Sequence, residues 1–351
     1  MPLNNRDTLL LLLVIVIIQW WFVSRRRAPV LHREPYSANS LITLTNVISK
    51  PGLFYQLTRF EIDVWIEYLL NPLLEKIKYP RNYELWNDIN NLNIQFNRTR
   101  ACQIGIAERL FRWNVIMSGC DFRYLAWISD QHISTVHRDF YHICTVALHQ
   151  LSPSYLYYPA PNSWEYNALK GNGAFNMFPN VVYAADVVKI RIREPSRNQR
   201  VYFDGHHWEH NVGFWCACDY QGRVRIIFGE EPGSRNDTAI YGLCDMSGNE
   251  GTYLDATSQI LFDGIYAEMG HPFLCPFTRH HGHVINPLEQ QFNWHQRRAR
   301  VIIENVFGVT KNRFQIINTT YTLSLRRIGI IVRCCFLLNN IIVENQAPMR
   351  A

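Results

Sequence analysis

The sequence predicts an α/β protein in which a mixed sheet with flanking helices follows an all-α region. Residues 40–150 space apolar and polar positions as helices do, whereas residues 181–266 contain β-branched apolar runs separated by turn residues. The pattern changes near residue 155, in "SPSYLYYPAP". We therefore expect three regions: an apolar N-terminal segment (1–27), a helical region (28–155) and an α/β domain (156–345).

Composition excludes several protein classes. With 351 residues, 48% of them hydrophobic, the chain can bury a sizeable core and is neither disordered nor fibrous. A formal net charge of +6 suits a polyanionic partner, although many proteins with this surplus never meet nucleic acid. The nine scattered cysteines include no CxxC pair, which favours buried thiols in a reducing compartment over disulfides.

The N-terminal segment contains "TLLLLLVIVIIQWWFV" (residues 8–23), followed at once by "SRRR". As a helix this run reaches about 24 Å, which is less than the ~30 Å hydrocarbon core of a bilayer. One interpretation is a transmembrane anchor, and the trailing arginines would then place the rest of the chain in the cytoplasm. The alternatives are a helix buried against the next domain and a start codon placed too far upstream. A signal peptide is disfavoured because the basic residues follow the apolar run.

The helical region contains "MSGCDFRYLAWISDQHISTVHRDFYHICTVALHQL" (117–151), which predicts two short helices, a turn around residues 130–134 and a longer helix. This is the outline of a helix-turn-helix near residues 119–151, whose second helix commonly enters a major groove. A plain helical hairpin gives the same pattern. The residues expected to cap the longer helix or to project from its first turns are Ser129 or Ser134, and His137 with Arg138.

The α/β domain begins with three predicted strands, "VVYAADVVKIRI" (181–192), "NVGFWCACDYQ" (211–221) and "GRVRIIFGEEPGS" (222–234). A turn at Gln221 and Gly222 joins the second and third strands as a hairpin. A helix from Asp237, a fourth strand "SQILFDGIY" that ends at Asp263, and a long helix over 298–314 follow. This order is what a ribonuclease H-like α/β fold requires.

The long helix, "RARVIIENVFGVTKNRF", carries Arg300, Glu304 and Lys311 at intervals of four and seven residues. At about 100° per residue these three side chains share one stripe of the helix. One interpretation is a solvated face with an Arg300–Glu304 ion pair that contributes roughly 0.2–0.5 kcal/mol. The other is a carboxylate that holds a metal ion between phosphate-binding cations. The opposite face is expected to enter a core through Ile302, Ile303, Val306, Phe307 and Phe314.

Acidic residues mark the candidate chemistry. Asp186 lies in the middle of an apolar strand, where an uncompensated carboxylate costs several kcal/mol. Asp263 ends the strand that this topology places beside it, and the long helix can bring Glu304 over both. Three converging carboxylates repel one another unless cations lie between them, and an oxygen-only ligand set suits Mg²⁺ or Mn²⁺. Two such ions would activate a water and stabilise the departing oxygen of a phosphodiester, with Arg300 and Lys311 flanking the cut strand.

Several phrases occur in a fixed order along the chain. They are "MFPNVVYAADVVKI" around Asp186, "EEPGSRND" at Asp237, "LFDGIY" around Asp263, the R-x₃-E-x₆-K of the long helix, and "CCFLLNNI" near the C-terminus. Together they resemble the PIF/Harbinger transposase group of DDE-superfamily endonucleases, also described as the nuclease HARBI-like family. The resemblance covers about residues 100 to 342.

The resemblance implies a ribonuclease H-like endonuclease that uses Mg²⁺ or Mn²⁺ to hydrolyse DNA strands and join the ends. It also implies nuclear residence and, in some members, a separate Myb-like DNA-binding partner protein. By residue-by-residue carry-over, Asp186, Asp263 and Glu304 match the three catalytic carboxylates, and Asp237 matches a fourth acidic position assigned to metal binding. Asp237 also suits a helix N-cap, which needs no metal.

Two features depart from the family. Val187, Val188 and Lys189 follow Asp186 where the family usually has Gly, then a small or polar residue before His, so we expect bulkier neighbours to crowd the metal. The apolar N-terminus is foreign to a nuclear transposase.

The histidine clusters and the large aromatic residues give weaker indications of function. The histidines of "GHHWEH" (205–210) and "RHHGH" (279–283) lack the usual spacing of zinc ligands, and they favour a solvated loop near DNA. Exposed aromatics could stack on unpaired bases, although large aromatics more often pack in cores; the candidates are Trp164, Trp208 and Trp294.

Three functions stay open from the sequence. The leading hypothesis is a metal-dependent DNA endonuclease or transposase. The first alternative is a catalytically inactive, domesticated DNA-binding protein that acts through the helix-turn-helix. The second is a membrane-tethered relic that depends on residues 8–23, so the expected location is the nucleus or a membrane.

Overall fold

The computed structural model describes residues 44–74, 76–77, 106–129, 131–279, 284–318 and 325–345. The predicted membrane segment (8–23) and His280 to His283 lie outside these residues, so their predictions stay as they are.

The first half of the described chain is helical, as predicted. Short helices lead to a seven-residue helix and then to a 23-residue helix that ends where the pattern changes. They are α1 (Leu44–Ile48), α2 (Pro51–Thr58), α3 (Ile62–Trp65), a π-helical turn (Ile66–Leu70), α4 (Asn71–Leu74), α5 (Ile106–Met117), α6 (Phe122–Ile128) and α7 (Ile133–Tyr155).

The α6–α7 pair has the outline of the predicted helix-turn-helix, but its caps differ from the prediction. Asp121 caps α6 by accepting hydrogen bonds from two backbone N–H groups, and His132 caps α7 by accepting one from Ser134 N at 3.2 Å. Neither serine is an N-cap, because His132 takes that position in α7; Ser129 instead lies at the C-cap of α6. His137 does not project either: its ring stacks on Phe122 with centroids 4.1 Å apart. Burial lowers the pKa of His137, while Arg138 is exposed.

The second half forms one mixed sheet. Its strands are β1 (Val181–Arg191), β2 (Phe203–Asp204), β3 (Glu209–Cys218), β4 (Val224–Pro232), β5 (Gln259–Leu261) and β6 (Phe273–Leu274). The order runs β2–β3–β1–β5–β6, and β4 also pairs with β3. The β4–β3–β1 part is antiparallel, and the β1–β5–β6 part is parallel. This confirms the predicted α/β fold, which is compatible with a ribonuclease H-like core.

Alternate side chains of β1 enter two different cores. Ala184, Val188 and Ile190 pack in the core that also contains the long helices. Tyr183, Ala185 and Val187 pack on the other face of the sheet, against α8 (Trp164–Leu169) and its surroundings. By the two-residue period of a strand, Asp186 belongs to the face of the long helices.

Two long helices cover that face. They follow three short ones, α9 (Gln199–Tyr202), α10 (Asp237–Tyr241) and α11 (Glu250–Tyr253), and are α12 (Pro287–Arg313) and α13 (Leu325–Asn345). Asn286 and Glu289 form a reciprocal capping box at the start of α12, which fixes where this helix begins. Ile303 and Phe314 are fully buried and Val306 nearly so, which confirms the predicted apolar face.

The C-terminal phrase "CCFLLNNI" has a structural role in α13. Cys334 and Cys335 are buried free thiols. Asn340 Nδ2 donates to the carbonyl oxygens of Val224 and Tyr155 at 2.7 and 2.6 Å, and Asn340 Oδ1 accepts from Val224 N at 2.9 Å. This one amide therefore joins the start of β4 to the end of α7.

Within the described residues, one helix is long and apolar enough to cross a membrane by composition. It is Arg327–Asn345 of α13, with a mean hydropathy of 1.5, and 72% of it is buried inside the protein. Burial of this extent is what the core helix of a packed domain shows.

Candidate active site

Asp186 and Asp263 are brought together by the parallel pairing of β1 and β5. Ala184 pairs with Leu261, and each aspartate lies two residues further along its own strand direction. Because side chains alternate along a strand, both carboxylates lie on the face of Ala184 and Leu261. Asp263 is exposed, and its Oδ1 accepts a hydrogen bond from Gly264 N at 2.6 Å, where a 3₁₀ turn (Gly264–Met269) begins. The fourth strand is thus shorter than predicted and ends before Asp263.

The α12 stripe faces these acids. Arg300 Nη1 donates to Asp186 Oδ2 at 3.0 Å, and Arg300 Nη2 donates to Glu304 Oε1 at 2.5 Å. One guanidinium therefore lies between a strand carboxylate and a helix carboxylate. The predicted i, i+4 ion pair exists, and the same arginine also reaches Asp186, which a solvated face would not do.

The surroundings of Asp186 disfavour its ionised form. Its side chain is only 23% exposed. Burial raises the pKa of Asp186 to about 6, and the charges of Asp237 and Asp263 act in the same direction. The N–H of Val187 and the Arg300 guanidinium oppose this rise in pKa by favouring the ionised form. The three aspartates are therefore close enough to repel one another.

Asp237 is not the cap of its helix. Asn236 Oδ1 accepts from Ala239 N at 2.9 Å, so Asn236 caps α10 and Asp237 is the first helical residue. The neighbouring asparagine accepts the free backbone N–H, which leaves the Asp237 carboxylate without a capping role. Burial raises the pKa of Asp237, the charge of Lys189 lowers it, and the charge of Asp263 raises it again.

The donor set has the chemistry that a hard divalent cation requires. It consists of carboxylate oxygens, which Mg²⁺ and Mn²⁺ prefer. The buried phenol oxygen of Tyr266 has no hydrogen-bond partner among the described residues, and burial, followed by the charges of the three aspartates, raises the pKa of Tyr266. In the arrangement described, however, no three His, Cys, Asp or Glu side chains are close enough together to hold one ion. The guanidinium of Arg300 pairs with Asp186 instead.

The residues that follow Asp186 lie on alternate faces of the sheet. Val187 packs in the core on the opposite face. Val188 is buried on the α12 face, which is also the face of Asp186. Lys189 extends away, and its Nζ donates to the carbonyl oxygen of Arg235 at 3.1 Å. Strand alternation therefore directs Val187 away from Asp186, and of these three side chains Val188 is the one on its face.

Lys311 lies on the predicted stripe, but part of its role is structural. Its Nζ donates to the main-chain oxygen of Lys189 at 3.1 Å, and burial lowers its pKa. Arg300 and Lys311 thus attach α12 to β1 at two points, one at the acids and one three residues further along the strand.

Gln296 of α12 was not among the site residues predicted from the sequence. Gln296 is buried, and its Nε2 donates to the carbonyl oxygens of Phe262 and Leu274 at 2.7 and 3.1 Å. It lies one turn before Arg300 and fixes the backbone immediately before Asp263. The signal was present in the spacing, since Gln296, Arg300 and Glu304 recur every four residues.

One histidine of "GHHWEH" pairs with a carboxylate. His207 Nδ1 pairs with Asp204 Oδ2 at 2.9 Å, and no metal-holding group of three includes any of these histidines in the described chain.

Comparison with known families agrees with this geometry. Residues 185–340 match the family model of the DDE superfamily endonucleases. The matched segment begins one residue before Asp186 and ends at Asn340, so it includes every acid of the site. No curated protein and no solved structure matches the chain. The predicted resemblance to this superfamily is confirmed over these residues.

Proposed function

We propose that this DDE superfamily endonuclease domain hydrolyses phosphodiester bonds of DNA with divalent metal ions, as a nuclease or transposase of the PIF/Harbinger type. The observation that supports this most is the meeting of acids from three separate elements on one face of the sheet. Asp186 comes from mid-β1, Asp263 from the end of β5 and Glu304 from α12, with Arg300 between two of them.

In this proposal Asp186 and Asp263 hold the metal, Glu304 completes the ligand set, and Asp237 is a fourth, weaker ligand. When bound, Mg²⁺ or Mn²⁺ supplies an activated water and stabilises the departing oxygen. A cation bound by these carboxylates would also offset the burial that raises the pKa of Asp186 and the smaller effect of the Asp237 and Asp263 charges.

The other residues position the acids and the DNA. Arg300 neutralises Asp186 and Glu304 and keeps the two carboxylates beside each other before any ion arrives. Glu304 is about half exposed, so its free oxygen can orient a water on the solvent side. Arg300 and Lys311, which follow one another along α12, contact phosphates of the bound strand, a charge-driven and sequence-independent attraction.

Further properties belong to the proposal through the PIF/Harbinger resemblance. They are strand joining after cleavage, residence in the nucleus, and a Myb-like partner protein that supplies target recognition. The helix-turn-helix of α6 and α7 would give the chain a second contact with DNA. The membrane tether through residues 8–23 is the alternative for location.

The test is nicking of supercoiled DNA by the purified full chain with Mn²⁺ and with Mg²⁺. We expect the wild type to nick, and Asp263→Asn and Glu304→Gln to lose at least a hundredfold in rate while melting at wild-type temperatures. Asp245→Asn is the matched control, because this aspartate is exposed and lies outside the site.

No nicking by the wild type with either metal, in preparations that bind DNA, would contradict the proposal and favour a non-cutting DNA-binding protein. Equal nicking by all four chains would move the chemistry away from these acids.

A further inference from the structure

The tip of the β2–β3 hairpin presents a single exposed tryptophan. Trp208 is 82% exposed and adopts a left-handed backbone conformation with a φ of 54°. A bulky residue rarely adopts this conformation, so the surrounding structure must hold it there. The ring of Phe203 meets the indole edge-on, with centroids 6.2 Å apart, and leaves one indole face in solvent.

A buried carboxylate keeps this tip in shape. Asp204 Oδ1 accepts from His206 N at 2.9 Å, and Asp204 Oδ2 accepts from Asn211 Nδ2 at 3.1 Å and pairs with His207 Nδ1 at 2.9 Å. Burial alone would raise the pKa of Asp204, but the hydrogen bonds from Asn211 and His207 lower it. The tip is therefore ordered before any ligand binds, so binding does not lose free energy to ordering the tip.

The base of the hairpin is joined to the loop that carries Asp237. Gly233 N donates to the carbonyl oxygen of Asn211 at 2.9 Å, and Ser234 N donates to that of Val201 at 3.3 Å. A Cβ on Gly233 would collide with Asn211, so the two segments are in close contact. His207 is near enough for its charge to act on Asp237. The tip therefore lies at the same end of the sheet as Asp237.

Basic groups connect the acids to the tip. From Arg300 to Lys311, α12 advances roughly 16 Å, and from Asp186 to Arg191, β1 advances about the same distance. Arg191 pairs in register with Asn211, at the base of the hairpin, and its guanidinium lies 3.5 Å from Glu209. Lys311 lies between these ends, where its Nζ donates to the main-chain oxygen of Lys189.

The segment before the hairpin adds further positive charge. It carries three exposed arginines that form no ion pair within the described part of the chain: Arg193, Arg197 and Arg200. Along stacked DNA, the phosphates of one strand rise about 3.4 Å per nucleotide, and those of an unpaired, extended strand are spaced more widely. A strand held at the acids and drawn along these cations would reach the tip several nucleotides from the cut.

We propose that Trp208 stacks on a base of the DNA strand several nucleotides from the phosphodiester cut at Asp186 and Asp263, and so sets where along the strand the cut falls. The inference rests on the proposed function, because it takes DNA as the substrate. An indole face offers sequence-tolerant stacking, and the neighbouring cations hold the backbone. The ligand is an unpaired or unstacked base, not the side chain of a protein partner.

The experiment measures binding separately from cutting. Fluorescence anisotropy of a labelled single strand is recorded with the full chain in EDTA, for wild type, Trp208→Ala, Trp208→Phe and Trp164→Ala. Trp164 is the matched control, since it is 84% exposed and starts α8, whose buried residues pack on the other face of the sheet. We expect Trp208→Ala to weaken binding roughly 5- to 150-fold, as loss of one stacked base does. Trp208→Phe should stay within about threefold, and Trp164→Ala should match the wild type.

A second readout locates the base. Single abasic sites are moved stepwise along the strand, and the wild type should lose affinity at one position several nucleotides from the cut, whereas Trp208→Ala should not respond there. This loss of response is the coupling that direct contact requires.

The outcomes separate the two proposals. Wild-type nicking with full binding by Trp208→Ala would overturn the stacking contact and leave the endonuclease intact. Failure of the wild type to bind or nick DNA would overturn both. Tight binding by Trp208→Ala that is still sensitive to the abasic position would assign the contact to another residue.

Discussion

Asp186→Asn should stabilise the fold at neutral pH, although it removes a residue of the site. The pKa of Asp186 rises from 3.8 to about 6 on folding, so its ionised form is disfavoured in the native state. One pKa unit corresponds to about 1.4 kcal/mol, which places the cost of the charged carboxylate near 3 kcal/mol. The shift already includes the favourable charge of Arg300, and asparagine resembles the neutral acid in shape.

The sign of the pH dependence follows from the same shift. Between about pH 4 and 6 the native state holds a proton that the unfolded state has released. Wild-type stability therefore falls as pH rises through this window, and the full cost is present above pH 6. The variant lacks this group, so the difference between the two proteins should vanish near pH 4 and be largest above pH 6.

Urea unfolding in EDTA at several pH values between 4 and 8 measures the difference. Asp245→Asn, at an exposed position, should change stability by less than about 0.5 kcal/mol. Asp204→Asn should act in the opposite direction, because hydrogen bonds lower the pKa of Asp204 despite its burial. If the Asp186→Asn protein is less stable than the wild type at pH 7.5, or if the difference in stability does not vary with pH, the charge of Asp186 does not destabilise the fold.

Three further substitutions test the contacts around Asp186. Arg300→Gln should lose about 1–3 kcal/mol of stability at pH 7.5, and adding Asp186→Asn should restore most of it in urea unfolding; additive losses would contradict a direct pairing. Asp237→Asn should retain more nicking activity than Asp263→Asn with Mn²⁺, and equal loss would refute that ranking. Gln296→Ala should cost about 1–3 kcal/mol, because the Phe262 carbonyl oxygen loses its side-chain donor, whereas that of Leu274 still accepts from Phe262 N; a loss below about 0.5 kcal/mol would show that another donor replaces it.

The elements that follow hydrophobic periodicity were predictable from the sequence. β1 was predicted over 181–192 and ends at Arg191, and the apolar face of α12 is buried as expected. These features depend on which residues avoid water, a property that each short segment carries by itself. The adjacency of Asp186 and Asp263 also followed, since ribonuclease H-like strand order brings their strands together.

The details that depend on distant contacts were not predictable. The cap of α7 is His132 and that of α10 is Asn236, because the first side chain able to reach the free N–H groups takes the position. The bridge from Arg300 to Asp186 joins residues 114 positions apart. Gln296 hydrogen bonds to two backbone carbonyls, which leave no trace in side-chain patterns. Such contacts are fixed only when the sheet and the long helix have packed.

Binding of Mn²⁺ to the purified full chain, measured by titration calorimetry at pH 7.5, tests most directly whether Asp186 and Asp263 form one metal site. We expect the wild type and Asp245→Asn to bind Mn²⁺, and Asp186→Asn and Asp263→Asn each to lose at least tenfold in affinity. Wild-type affinity in both of these last two variants, or no binding by the wild type, would contradict a metal site formed by Asp186 and Asp263.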